Sequence, residues 1–389
     1  MQERWRILAL LFAVRTAMAF QFQSVAAIAP LLRESFGVGL NDIGFLIGIY
    51  LAPGIALALP GGAIGQRYGD KRIVVVGLLL MICGGLMMAF SPAWNLQIMG
   101  RLLAGTGGVL LNVLMSKMVT DWFAGKEIAT AMAIFVNSWP AGIALALVVL
   151  PKVAESSGVS WAFLVATGLV VIGTMAVATL YRAPSKAEPT SQNGTGRLSL
   201  KILIPMVAAG LIWGLYNASL SMVFSFGPSM LNERGWTVSE GSFATSLVLW
   251  LVALSVPAGG VIADRTGHYQ TVLIGGLIAF GLTLLIAARV ENVLLAFAVL
   301  GLVSGLSAGP IMSLPSKVLS PETRALGMGV FYTLFYLSVV LAPWIAGNIA
   351  SVAGGARVTF DIGAIMLVIC CAVYWIFRMM QAQRSNASL

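Results

Sequence analysis

Arg15 is the most chemically demanding residue in this sequence. It sits in LFAVRTAMAFQFQS, residues 11–24, where no other residue carries charge. A guanidinium is always ionised, and its planar fork of donors fits a carboxylate or another oxyanion two bonds at a time. On a helix, Ala19, Phe22 and Gln23 follow at i+4, i+7 and i+8 and share its stripe, whereas Gln21 points elsewhere. Trp213, Asn217 and Ser221 recur at four-residue spacing and likewise share one face, with Tyr216 beside them. Asn112, Asn137, Trp139, Tyr332 and Tyr336 are further polar or aromatic residues inside apolar runs, and Tyr50 is similar. Each of these is equally what an interhelical hydrogen bond or a packing aromatic looks like.

The acids are distributed differently. All fourteen Asp and Glu residues fall in loops or near the ends of apolar runs, Asp361 being the nearest to an interior position. Arg15 therefore has no acid at matching depth in its own segment. A substrate anion is its simplest counter-charge, and helix-end carbonyls or Asp361 are the internal alternative. Three cysteines (Cys83, Cys370, Cys371) lie in apolar runs without metal-ligand or disulfide spacing, and His268 is the only histidine. No nucleophile–base pair or metal cluster is present, so an enzyme is not expected and no cofactor is called for.

The elements that hold these residues follow from composition. Of 389 residues, 59% are hydrophobic and 10% charged, against about 25% charged in soluble domains. Twelve apolar segments are expected at 5–30, 43–64, 73–91, 95–118, 127–150, 160–181, 201–229, 241–262, 271–288, 292–314, 324–350 and 357–378. Their lengths suit helices crossing a bilayer, in which the backbone satisfies its own hydrogen bonds. Arg15 then lies roughly 15 Å into a ~30 Å hydrocarbon core. Burying it there costs at least ~2.5 kcal/mol, which points to a cavity or a partner. Residues 1–19 mimic a signal peptide, but Arg15 interrupts the apolar core of that pattern.

Charge sets the orientation. With both termini on one side, that side receives sixteen Lys and Arg residues, among them Arg4, Arg6, Arg67, Lys71, Arg72, Lys117, Arg265, Lys317 and Arg378. The other side receives only Arg33, Lys152, Arg234, Arg289 and Arg357. The excess predicts cytoplasmic termini in a multi-pass protein of the inner (plasma) membrane. The Pro-, Ser- and Gly-rich stretch 182–200 reads as a cytoplasmic linker between a six-helix half at 1–181 and another at 201–389.

The halves repeat at an offset near 198. Residues 60–69, PGGAIGQRYG, align with 258–267, AGGVIADRTG; Ser116-Lys117 matches Ser316-Lys317. By the same offset Arg15 corresponds to Trp213, Ala19 to Asn217 and Gln23 to Ser221. At these residues the sequence resembles the major facilitator superfamily. The family's loop pattern G-x-x-x-D-R-x-G-x-K/R-K/R appears as Gly62-Ala-Ile-Gly-Gln66-Arg67-Tyr-Gly69-Asp-Lys71-Arg72, with Gln66 in place of the acid. The second copy keeps Asp264-Arg265 but lacks the trailing basic pair, and Arg101-Leu-Leu-Ala-Gly105-Thr-Gly107 resembles the family's R-x-x-x-G-x-G.

The resemblance implies an all-α polytopic membrane protein: twelve transmembrane helices in two pseudo-symmetric six-helix halves, with a site between them. It implies that helices 1 and 7 face the central cavity, so that Arg15, Gln23, Trp213, Asn217 and Ser221 line it. Asn112, Asn137, Tyr332 and Tyr336 are further candidates. Gln66, Arg67, Asp264 and Arg265 are expected to act in gating, with Arg101 in gating or packing. The expected activity is secondary active transport of a small organic or inorganic anion by rocker-switch alternating access, as an exchanger. The alternative is a proton-driven exporter of amphipathic drugs or metabolites. The expected partners are an anionic small molecule and membrane lipid, with no nucleic acid, and the chain is expected to be a monomer.

Overall fold

The structure is a computed structural model that describes residues 3–57, 64–65, 67–123, 127–184, 199–320 and 323–386. Among these residues there is no strand, and twelve helices are long and apolar enough to cross a membrane. We label them α1 (Glu3–Ala27), α2 (Leu40–Leu57), α3 (Asp70–Phe90), α4 (Trp94–Phe123), α5 (Ile128–Ser157) and α6 (Val159–Leu180). The second half comprises α7 (Leu200–Glu233), α8 (Val238–Thr266), α9 (Tyr269–Ala287), α10 (Val293–Lys317), α11 (Arg324–Ala353) and α12 (Val358–Asn386). All twelve expected spans are present.

Three expected boundaries differ for reasons of backbone chemistry. The first span stops at Ala27, and a short helix, Ala29–Phe36, follows with Pro30 in its first turn and Gly37 closing it at φ +63°. Pro at a helix start and glycine in the left-handed region after its end are what such a punctuation requires. α2 breaks between Ile49 and Pro53, where Leu51 and Ala52 N–H groups reach back only three residues, to Gly48 (3.0 Å) and Ile49 (3.2 Å). α10 is likewise not one continuous rod. It runs as Val293–Ser304, Ala308–Met312 and a 3₁₀ turn at Pro315–Lys317, with Pro310 and Pro315 unable to donate to the ladder.

Close backbone approach sets how these helices pack. A Cβ on Gly142 of α5 would lie 2.4 Å from the Thr16 carbonyl oxygen and 2.6 Å from Ala19 Cβ, so glycine lets α1 lie directly on α5. Gly44 does the same between the halves: a Cβ there would lie 2.2 Å from the Pro343 carbonyl oxygen of α11. The halves meet along α2 with α11, α5 with α8 and α1 with α7. On the side away from the termini, Glu155 accepts from Ser239 N (3.0 Å) and from the Ser239 hydroxyl, and Asn41 N donates to Ser351 Oγ (3.1 Å). Arg33 pairs with Glu233 at 3.8 Å on the same side. On the terminal side the ion pairs among described residues, Arg4–Glu127 and Lys117 with Asp70 and Asp121, all stay within the first half. The two halves are thus fastened on the side opposite the termini.

Candidate functional site

Arg15 lies at mid-length on α1 and is 8% exposed. Its position over α5 follows from the Gly142 contact, and its acceptors follow from Pro140. Proline has no N–H, so the carbonyl four residues earlier, on Val136, loses its helical donor. Arg15 Nη1 donates to that oxygen at 3.1 Å, to the Phe135 carbonyl at 3.1 Å and to Ser138 Oγ at 3.2 Å. Nε and Nη2 both donate to Asn112 Oδ1 of α4, at 3.2 and 3.0 Å. The guanidinium carbon stands 4.8 Å from the Phe135 ring centroid and 5.8 Å from that of Trp139.

Every one of these partners is neutral. No carboxylate pairs with Arg15 among the described residues, and only one bond leaves Nη2, so one of its two hydrogens has no acceptor there. The Asp361 alternative is corrected: Asp361 pairs with Arg289 at 2.8 Å, and that hydrogen bond holds the Arg289 guanidinium above its ordinary pKa. The carbonyls that Arg15 does meet, on Phe135 and Val136, lie inside α5 beside Pro140 and not at a helix end. They solvate the charge with dipoles without neutralising it.

Across from Arg15, Asn112 Nδ2 meets Tyr336 OH of α11 at 3.4 Å. The Tyr336 ring packs where a Gly54 side chain would be, so α2 holds it in place. Tyr332, one turn away, is more exposed, and its ring meets Phe331 and Phe335 edge-on. Trp213 of α7 stacks with Tyr216 (5.7 Å), Phe331 (6.4 Å) and Phe335 (6.3 Å). One wall of the site therefore presents a cation and amides, and the other presents stacked rings.

The remaining candidates divide. Gln23 does not join Arg15: its Nε2 donates to the Phe224 carbonyl at 2.6 Å, tying α1 to α7, and its Oε1 is buried without a partner among the described residues. Asn217 and Ser221 bond within α7, to Trp213 O (2.8 Å) and Ala218 O (2.7 Å). Asn137 makes no side-chain hydrogen bond to a described residue; its neighbour Ser138 takes the position beside Arg15. Tyr216 turns away and donates to Ser304 O at 2.8 Å. Gln21 faces α3 and donates to Met81 O.

Arg101, 1% exposed, donates to the Leu46, Gln21 and Phe22 carbonyls at 3.1, 3.2 and 2.5 Å, with the Tyr50 ring 4.6 Å away. It joins α4, α1 and α2 inside the first half. At the loops, Gln66 lies outside the described residues. Arg67 lies over the Tyr68 ring at 5.4 Å. Asp264 accepts from the Tyr269 hydroxyl at the start of α9 rather than from a cation, and Arg265 is exposed. Ser138 and the carbonyls of Phe135 and Val136 are the site groups that sequence reasoning missed. Pro140 was the signal for one of them, because it marks an orphaned carbonyl four residues earlier.

A family model, "Major Facilitator Superfamily", matches residues 11–226 and again 209–388. The chain is 26% identical over 275 residues to the multidrug transporter mfsC of Aspergillus fumigatus, a match covering 67% of this chain and 49% of that protein. It is 22% identical over 374 residues to a protein of Cupriavidus necator described as "Probable sulfoacetate transporter SauU", covering 88% of this chain and 86% of that one. In fold it is similar to the crystal structure of a bacterial homologue of the human lysosomal transporter Spinster, inward-facing and occupied. That likeness has TM-score 0.80 and 15% identity and covers 98% of each chain. The duplicated helices and both halves of the family match agree: this chain belongs to the Major Facilitator Superfamily and is a secondary transporter, not an enzyme.

Proposed function

We propose that this transporter carries a small anion, a carboxylate or similar oxyanion, bound at Arg15 midway between the halves. One observation carries the reading: a buried guanidinium at mid-span whose partners among the described residues are all uncharged, and whose partner Asn112 meets Tyr336 of the other half. Arg101 is also held by neutral carbonyls, but all three belong to the first half. An intramembrane charge kept at such cost is a functional site by default, and one free Nη2 hydrogen with the nearby Tyr336 hydroxyl supplies donors for an oxyanion. Sulfoacetate, named for the Cupriavidus relative, is an anion of this class. Alternating access fits the fastening pattern: the halves are tied on the side opposite the termini, so they part first on the terminal side, which the Lys and Arg excess makes cytoplasmic.

Asn112→Asp tests the reading. It is isosteric and puts a carboxylate 3.0 and 3.2 Å from Nη2 and Nε, so the protein supplies its own counter-charge. Anion-induced thermal stabilisation and uptake by proteoliposomes should fall at least about tenfold, the factor for 1.4 kcal/mol, with the fold intact. Undiminished anion binding would overturn the proposal.

The same charge favours exchange over net uniport, because an empty carrier must reorient with Arg15 uncompensated. Counterflow should outpace net uptake, and equal rates would remove the exchange step. The second reading, export of amphipathic compounds, is favoured by the Trp213–Phe331–Phe335 stack and by the Aspergillus relative's name. It predicts that Asn112→Asp leaves neutral lipophile transport untouched.

A further inference from the structure

The repeat provides a comparison inside the molecule. Ser116-Lys117 of α4 corresponds to Ser316-Lys317 at the end of α10, and the Gly69-Asp70 turn into α3 corresponds to Gly267-His268 before α9. Both glycines hold positive φ, +89° and +69°, and although they differ in ψ, each N–H closes back on the residue four earlier, Gly65 and Ala263. In the first half Lys117 is clamped by two carboxylates, Asp70 at 2.5 Å and Asp121 at 3.0 Å. In the second half the residue matching Asp70 is His268, and Pro321 matches Asp121. Lys317 has lost both acids.

Its ammonium now lies 5.8 Å from the Tyr269 ring centroid, and no carboxylate pairs with it among the described residues. Arg378 of α12 is also exposed and without an acid partner there. Both cations line a cavity of about 660 Å³ between α9, α12 and the end of α10, and no acidic residue lines it among the described residues. The cavity wall continues as an apolar stripe: Ile274 and Ile278 line it, and Ile278, Leu282 and Ile286, four residues apart on α9, are 51%, 55% and 53% exposed. A Cβ at Gly281 of α9 would lie 3.8 Å from Leu367 of α12, so the two helices flank each other at ordinary packing distance beyond the cavity.

We propose that this cavity seats the phosphate of an anionic phospholipid in the terminal-side leaflet, with an acyl chain along the Ile278–Leu282–Ile286 stripe. The Arg378 fork and the Lys317 point charge match phosphate oxygens. A basic pocket between transmembrane helices, opening onto an exposed apolar face, fits a lipid and not a soluble anion. The site stands apart from Arg15 and does not depend on the transported substrate.

The full chain in detergent, titrated by native mass spectrometry with dioleoyl phosphatidylglycerol, dioleoyl phosphatidylcholine and inorganic phosphate, tests this. Phosphatidylglycerol should bind selectively. Each cation near an anionic headgroup is worth about five-fold in affinity, so Lys317→Gln with Arg378→Gln should weaken binding about thirty-fold. His268→Asp, which restores one of the two acids of the first-half clamp without removing a cation, should weaken it about five-fold. It also keeps the proposal testable if the double variant fails to fold. Equal binding of the two lipids, unchanged phosphatidylglycerol affinity in these variants, or displacement of the lipid by equimolar inorganic phosphate would each overturn the assignment.

Discussion

Arg15 and Pro140 should be energetically coupled through one carbonyl group. Pro140 deprives Val136 O of its helical donor, and Arg15 Nη1 supplies the replacement at 3.1 Å. When Arg15 is changed to Gln, Asn112 Oδ1 loses both of its donors whatever residue stands at position 140. Phe135 O keeps the Ser138 hydroxyl, at 2.5 Å. Val136 O has no such recourse. A buried acceptor left unpaired costs about 1–3 kcal/mol, and the half-exposed Val136 places this case near the low end.

Pro140→Ala restores the N–H at position 140 and refills Val136 O from within the helix. Arg15→Gln should therefore cost about 1–1.5 kcal/mol less in the Pro140→Ala background than in the parent. Effects common to both backgrounds, including the lost Asn112 bonds and the lost charge, cancel in the cycle. The four proteins are compared by equilibrium unfolding in mixed micelles of rising dodecyl sulfate fraction, followed by circular dichroism. Additivity within about 0.5 kcal/mol would refute the idea that Arg15 replaces the missing proline donor.

Three further outcomes are expected. Arg101→Leu removes the donor to Leu46 O and vacates a fully buried site; it should cost about 2–4 kcal/mol in the same unfolding assay, and a loss below 1 kcal/mol would deny Arg101 a packing role. Gly44→Val must part α2 from the Pro343 carbonyl, now 2.2 Å from the Cβ position, so spin labels on the outer ends of α2 and α11 should report a longer distance. An unchanged distance distribution would show that this approach is not what holds the halves together. Glu155→Ala with Glu233→Ala removes the outer bonds to Ser239 and Arg33 and should shift the closed-to-open ratio on that side about three- to ten-fold. The same labels read it, and no shift would remove these bonds from the latch.

The sequence made the scaffold readable because each span must be apolar over a bilayer's width and the halves repeat. Arg15 was readable for the opposite reason, as the one permanent charge in the middle of a span. Its partners were harder. Asn112 was marked by type and depth, but Asn137 was singled out where its neighbour Ser138 makes the contact, and one residue on a helix turns the side chain by about 100°. Three of Arg15's five bonds go to α5, and two of those to backbone carbonyls. Residue type gives no hint of a carbonyl acceptor, as Gln23 with Phe224 O and Arg101 with three carbonyls also illustrate. Asp361 and Arg289 pair across α9 and α12, a contact that no local spacing encodes.

The repeat also explains why the site is lopsided. Arg15 and Trp213 occupy corresponding positions, yet one half contributes a cation held by amides and carbonyls while the other contributes a stack of Tyr216, Phe331 and Phe335 around the indole. At this depth the walls are joined by a neutral contact, Asn112 to Tyr336 at 3.4 Å, and two turns further along α1 by another, Gln23 to Phe224 O at 2.6 Å. Such bonds contribute about 0.5–1.5 kcal/mol net, so they impose only a small barrier when the halves separate. On the proposed reading, an anion bridging Arg15 and the Tyr336 hydroxyl would form charge-assisted hydrogen bonds, each roughly twice as strong as a neutral one. The strongest contact across the midplane would then be the substrate itself. Binding would draw the walls together, whereas the outer fastenings at Glu155 and Glu233 decide which side opens when it leaves.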